Sequence, residues 1–172
     1  MTREVLTALI AGALSMGQQP ARTPDVHFTP TRHAIADAML QLAGVTANDV
    51  VYDLGSGDGR LLIIAAQKYG ARGVGIEIDP ALVATARQIA AEGGVADRVT
   101  FIEGDFYLSD ISNATVVTLY LSPLINKRLE PKLKAELRPG ARVVSHDFPI
   151  GEWTPDARQE TDEAALMLWR IR

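Results

Sequence analysis

From Thr29 to Phe148 the chain alternates strand-like and helix-like segments, and this alternation constrains the fold more than any other feature. "DVVYDLG" at 49–55, "RGVGIEID" at 72–79, "RVTFIEGD" at 98–105, "ATVVTLYL" at 114–121 and "ARVVSHDF" at 141–148 are short apolar runs, as buried strands require. Thr29 before Pro30 predicts a capped helix start, followed by Ile35, Met39 and Leu42 at helical spacing up to Gly44. "RLLIIAAQKYG" at 60–70 predicts a second helix, and Asp79 before Pro80 a third that runs to about Glu92. Ser122 before Pro123 opens a fourth, which Pro131 should interrupt or kink. "ALMLWRIR" at 165–172 predicts a closing strand, hairpinned with one near Arg158 to Thr161. This order implies an α/β domain with a mostly parallel, doubly wound sheet, and a ligand at the strands' carboxyl ends where the winding reverses.

The rest of the chain bounds the partners. With 172 residues, 47% of them hydrophobic, the chain makes one ordinary domain, 25–172, behind an N-terminal segment, 1–24. Seventeen Lys plus Arg against 21 Asp plus Glu give a charge of −4, so nucleic acid is not the expected partner. No cysteine is present, and His27, His33 and His146 lack metal-ligand spacing, so no metal is implied. Val5 to Met16 is apolar and followed by Gly17-Gln18-Gln19-Pro20, which reads either as a secretory signal or as an amphipathic helix on the domain; Glu4 spoils the basic flank of a signal. The expected compartment is the cytoplasm, with export or membrane association through residues 1–17 as the alternative. Oligomeric state is not legible.

The loop after the first strand, "DLGSGDG" at 53–59, sits at the reversal point and has three readings: a dinucleotide site, a mononucleotide phosphate site, or a site for S-adenosylmethionine. A phosphate loop needs Gly-Lys-Ser/Thr, which is missing, and Gly55, Gly57 and Gly59 run G-x-G-x-G rather than G-x-G-x-x-G. Asp53 and Asp58 would also repel a pyrophosphate at the helix N-terminus. S-adenosylmethionine carries no phosphate but brings an ammonium and a sulfonium, which nearby carboxylates can hold.

Further acids end the next two strands. Glu77 stands where a carboxylate can accept both ribose hydroxyls, or is simply an exposed strand end. Asp105, beside Phe106, can accept the adenine amino hydrogens while the ring flanks the base, or can cap the next turn.

With these motifs the chain resembles the class I S-adenosylmethionine-dependent methyltransferases, through "DLGSGDG" and the acid of "GIEID". "DVHFTPTRHAIADAML", "VYDLGSGDGR", "VTLYLSP" and "LEPKLKAELRPGARVVSHDFPIGEWTP" narrow the resemblance to the small protein-lysine methyltransferases that modify the ATP synthase c-subunit and the adenine nucleotide translocase, together with their prokaryotic relatives. The resemblance covers roughly Asp25 to Pro155. It implies a Rossmann-like, seven-stranded sheet ending in an antiparallel hairpin, and S-adenosyl-L-methionine held by Thr31, Asp53, Gly55, Ser56, Gly57, Glu77, Ile78, Asp105, Phe106 and Tyr120. Phe28-Thr29-Pro30-Thr31 would fold over the methyl group, and the acceptor would be a lysine of a protein. Mitochondrial members carry a membrane-targeting segment before the domain, whereas the apolar stretch here is short, so a membrane target stays open.

Methyl transfer asks for alignment and the exclusion of water more than for a nucleophilic residue. A lysine acceptor must first lose a proton, against a reference pKa of about 10.4, and an apolar or aromatic channel favours that loss. Tyr120, Ser122 and Phe28 are the catalytic candidates, with His146 and Trp153 as further lining. Tyr120 could equally be a core aromatic, because one sequence does not fix which face of a strand is which. His146 could accept the proton, or merely bond to backbone at a strand end. A small-molecule or RNA methyltransferase, and a noncatalytic cofactor-binding module, are the alternative functions.

Overall fold

The computed structural model describes residues 29–172; the signal or helix expectation for the N-terminal segment, and Phe28, lie outside them. Helix α1 (His33–Ala43) leads to strand β1 (Val50–Leu54), helix α2 (Arg60–Tyr69), β2 (Arg72–Glu77), α3 (Pro80–Glu92), β3 (Val99–Glu103), β4 (Val116–Leu119), α4 (Pro123–Glu136), β5 (Arg142–His146), β6 (Ala157–Glu160) and β7 (Ala165–Arg170). The strands form one sheet in the order β3-β2-β1-β4-β5-β7-β6. β1 pairs in parallel with β2 and β4, β2 with β3, and β4 with β5, while β7 runs antiparallel to β5 and β6. The winding reverses between β1 and β4, which places the glycine loop at the switch point, as the alternation predicts.

Each sheet face carries its own core. Strand alternation sends Val51, Val116, Val144 and Leu166 toward α1, α2 and α3, and Leu54, Val117, Leu119, Val143 and Trp169 toward α4. Trp169 is fully buried. Burial of each such side chain contributes about 1.5–3 kcal/mol, so the sheet is the platform on which the site is built.

One helix start differs from expectation, and one expected interruption is absent. α1 begins at His33 rather than after Thr29, and its N-cap Arg32 makes no side-chain cap bond. Arg60 Nη1 donates to the Thr31 carbonyl at 3.2 Å, so the residues before α1 are tied to the glycine loop. α4 continues through Pro131. Both Lys127, whose carbonyl loses its donor, and Pro131 are exposed, and Ile125, Leu129 and Leu133 keep the helix seated on the sheet. Its mixed charges form the i,i+4 pairs Lys132–Glu136 and Lys134–Glu130 at 2.6 Å, with the Lys132 side chain largely buried.

Candidate active site

The carboxyl ends of β1, β2, β4 and β5 converge at the switch point. Asp53, Glu77, Thr118, Tyr120 and His146 share the sheet face covered by α1–α3, because each lies an even number of residues from a side chain packed there. Between β1 and α2 the chain turns through Gly55, Gly57 and Gly59, all at positive φ. Gly59 shows why: at φ +78° a Cβ there would also lie 2.4 Å from Phe101.

The acids take different roles. Asp53 is buried and its Oδ1 accepts the Thr118 hydroxyl at 2.7 Å. Burial, opposed by that hydrogen bond and reinforced by the charges of Glu77 and Asp58, pushes its carboxyl up to about 7. Glu77 is buried too, and is not an exposed strand end: its Oε2 accepts Gly57 N–H at 2.9 Å, and its Oε1 accepts Ile78 N–H at 2.8 Å and Asp79 N–H at 3.0 Å. The carboxylate thus ties the glycine loop to the end of β2. Asp58 departs from the anionic ring that the sequence suggests, because Arg60 pairs with it at 2.5 Å. Burial works against the Asp58 charge, but the Arg60 bonds outweigh it and hold the carboxyl below its ordinary value. Asp105 does cap its turn, accepting Tyr107 N–H at 2.8 Å, and half-buried Phe106 stands beside it.

At the other side of the switch point, half-buried Tyr120 stacks on His146 with ring centroids 3.8 Å apart and 22° between planes, and Phe148 lies parallel to Tyr120 at 6.4 Å. Tyr120 is therefore a rim residue rather than a core aromatic. His146 is not held by backbone: its Nε2 lies 3.4 Å from Asp147 Oδ2, and its buried Nδ1 has no hydrogen-bond partner among the described residues. Ser122 serves as the N-cap of α4, its hydroxyl accepting Ile125 N–H at 3.4 Å. Trp153 does not join this group. It packs on Trp169 at 6.0 Å under the Lys134 ammonium, on the α4 side of the sheet.

Sequence reasoning missed two residues. Arg60 links the Asp58 carboxylate to the Thr31 carbonyl, a contact with no spacing signal. Asp147 adopts φ +62°, and exchanges bonds with Ala165 on β7: its N–H donates at 2.7 Å and its Oδ1 accepts at 2.9 Å.

These groups suit a ligand that carries positive charge and hydroxyls. A cation beside Asp53 would offset the burial and the neighbouring carboxylates that raise its pKa, and the buried Ser56 hydroxyl has no partner among the described residues. A phosphate would meet Asp53 and Glu77 instead. Known proteins agree with this chemistry. The family model described as the ANTKMT methyltransferase domain matches residues 53–157. A protein-lysine N-methyltransferase of Saccharolobus islandicus is 44% identical over 133 residues, 77% of this chain and 83% of that protein. The adenine nucleotide translocase lysine N-methyltransferase of Mus musculus is 42% identical over 106 residues, 61% of this chain but 46% of the mouse protein. Among solved structures, an RNA methyltransferase from Salinibacter ruber in complex with S-adenosyl-L-homocysteine is 55% identical, with TM-score 0.82 over 83% of this chain and 94% of that one. The chain belongs to the ANTKMT methyltransferase domain family and is a class I S-adenosylmethionine-dependent methyltransferase.

Proposed function

We propose that this enzyme methylates the side-chain amine of lysine in a protein. The observation that carries the reading is the pair of rings set against half-buried Tyr120, His146 at 3.8 Å and Phe148 at 6.4 Å: flat, poorly hydrated ring faces disfavour an ammonium, as an acceptor amine that must shed its charge requires. The likeness to the Saccharolobus enzyme over 83% of its length supports it.

In this reading Asp53 faces the ammonium of S-adenosylmethionine, and Gly55, Ser56 and Gly57 offer backbone and hydroxyl groups to its amino-acid end. Three backbone donors occupy Glu77, leaving its Oε2 the better placed to accept a ribose hydroxyl. Ile78 and Phe106 flank the adenine, whose amino group Asp105 accepts, and Thr31 covers the site through its link to Arg60. Tyr120 borders the acceptor. When bound, the cofactor supplies a methyl group activated by a positive sulfur; the protein's part is to align the amine and keep water out.

The Salinibacter neighbour, an RNA methyltransferase, favours a second reading in which the acceptor is RNA. The charge of −4 weighs against it, since RNA binding rests on cationic surface. Incubating the enzyme with a cell lysate and methyl-labelled donor separates the two. Label lost on protease treatment and recovered as methyl-lysine after acid hydrolysis supports the lysine reading; label lost on ribonuclease treatment overturns it.

A further inference from the structure

We propose that His146 takes the proton that the acceptor ammonium must lose, with Asp147 holding the imidazole in the tautomer that can do so. The assignment rests on the lysine reading above.

Three observations carry it. First, His146 ends β5 on the same sheet face as Asp53 and Thr118, and its buried ring lies 3.8 Å from that of half-buried Tyr120, at the carboxyl ends of the strands by the switch point. Second, the ring nitrogens are unequal. Nε2 faces the Asp147 carboxylate at 3.4 Å, which favours a proton on that nitrogen, and the lone pair then falls on Nδ1, buried and without a partner among the described residues. A buried acceptor left unpaired is unfavourable, and a donor arriving on the substrate would remove that cost. Third, Asp147 sits at φ +62°, a conformation that is strained for a non-glycine residue and persists only when its surroundings enforce it. Its two bonds to Ala165 do so, and they aim the second carboxylate oxygen at the imidazole.

The groups set against the ring are consistent with a neutral resting base. Tyr120 approaches from β4 and Asp147 from the end of β5; the β7 partner of His146 is Leu166, and α1 packs inward through Ile35, Ala36, Met39 and Leu40. Burial lowers the imidazole pKa and the Asp147 charge acts to raise it; the net direction is down, so the ring is neutral at pH 7.

The step balances as follows. A proton passes from the lysine ammonium to His146 Nδ1, leaving a neutral amine and an imidazolium opposite the Asp147 carboxylate. The amine lone pair forms the nitrogen–carbon bond as the carbon–sulfur bond of the donor breaks, its electron pair returning to sulfur. The products are a methylated ammonium and a neutral thioether, and the imidazolium gives its proton to water.

The test uses the full chain and, as substrate, the lysate protein that the wild type labels most strongly. His146→Gln should bind S-adenosylhomocysteine within about twofold of wild type by calorimetry, while kcat at pH 7 falls about 100-fold. Its activity should then wait for higher pH, the acid limb moving up toward the amine's own pKa. Asp147→Asn keeps a side chain that tolerates positive φ but removes the charge, so the imidazole becomes more acidic and the acid limb should move down. A role confined to packing predicts neither shift. Independently of turnover, nitrogen-15 spectra of the imidazole should show a neutral ring with the proton on Nε2. The opposite tautomer, or an unchanged pH profile in both variants while the wild type labels lysine, overturns this assignment alone. A wild type that labels no lysine removes the lysine reading and this assignment with it.

Discussion

The Thr118 hydroxyl donates to Asp53 Oδ1 at 2.7 Å, a bond from β4 to β1 across the switch point that holds a buried carboxyl between Glu77 and Asp58. The bond fixes the side chain without neutralising it. The folded pKa of about 7 lies above the unfolded value of 3.8, so the Asp53 contribution to stability is fully present below pH 3.8 and is lost as pH rises through about 7. Asp53→Asn should therefore stabilise the cofactor-free protein, with no gain below about pH 4 and about 4 kcal/mol above pH 7. Thermal unfolding at pH 4 and pH 8 checks this; calorimetry should show S-adenosylhomocysteine binding weakened more than tenfold. A variant no more stable at pH 8 than wild type would mean that burial and the neighbouring carboxylates do not raise the Asp53 pKa.

The same carboxyl should announce ligand binding as a proton. Near pH 7 about half of the Asp53 population is protonated, and a ligand ammonium placed beside it stabilises the charged form. Binding of S-adenosylhomocysteine should release up to about half a proton at pH 7 and none at pH 9. Calorimetric titrations in phosphate and in Tris, whose protonation heats differ, read this number directly.

The sequence makes the loop legible because its chemistry is local: G-x-G-x-G after a strand, and acids at the ends of the next two strands, need only spacing. Where two elements must meet, spacing falls short. Asp58 counts as an acid by identity, yet Arg60, two residues on, folds back to pair with it, a matter of side-chain rotamer. Trp153 lies close to the β5 end in sequence, but its chain segment crosses to the α4 face and packs on Trp169. Tyr120 and His146 become rim partners only once the register sets Leu119 opposite Ser145, which no single strand encodes.

Gly59 tests whether the loop is fixed by shape. An alanine there must hold φ +78° and place its Cβ 2.4 Å from Phe101, itself buried under α2 and α3. Strain and overpacking together should cost about 2–4 kcal/mol. Urea unfolding of Gly59→Ala should show the midpoint falling with an unchanged slope. Gly94→Ala is the control, since it shares a positive φ but its Cβ would meet nothing within 4 Å, and about 1 kcal/mol is expected.

Arg142 offers the opposite case, a buried charge that supports the fold far from the chemistry. It opens β5 at the end away from the site, donating to the Ala43 carbonyl at 2.8 Å and pairing with Asp49, which also accepts Thr46 N–H at 2.8 Å and the Thr115 hydroxyl at 2.7 Å. Burial opposes the Asp49 charge, but these partners outweigh it and the carboxyl stays below its ordinary value. A folded pKa that is lowered contributes stability above the unfolded value and loses it as pH falls, so the network is fully effective at pH 7. Arg142→Met removes the cation and leaves the buried carboxylate with neutral donors alone, at a cost of about 3–5 kcal/mol at pH 7. As pH falls toward 4, Asp49 can take a proton in the variant at little expense, and the gap to wild type should narrow. Urea unfolding at both pH values measures it, and kcat and KM should stay at wild-type values below the unfolding transition, because every group at the switch point keeps its partners. A gap independent of pH would place the loss in packing by the Arg142 side chain rather than in the ion pair.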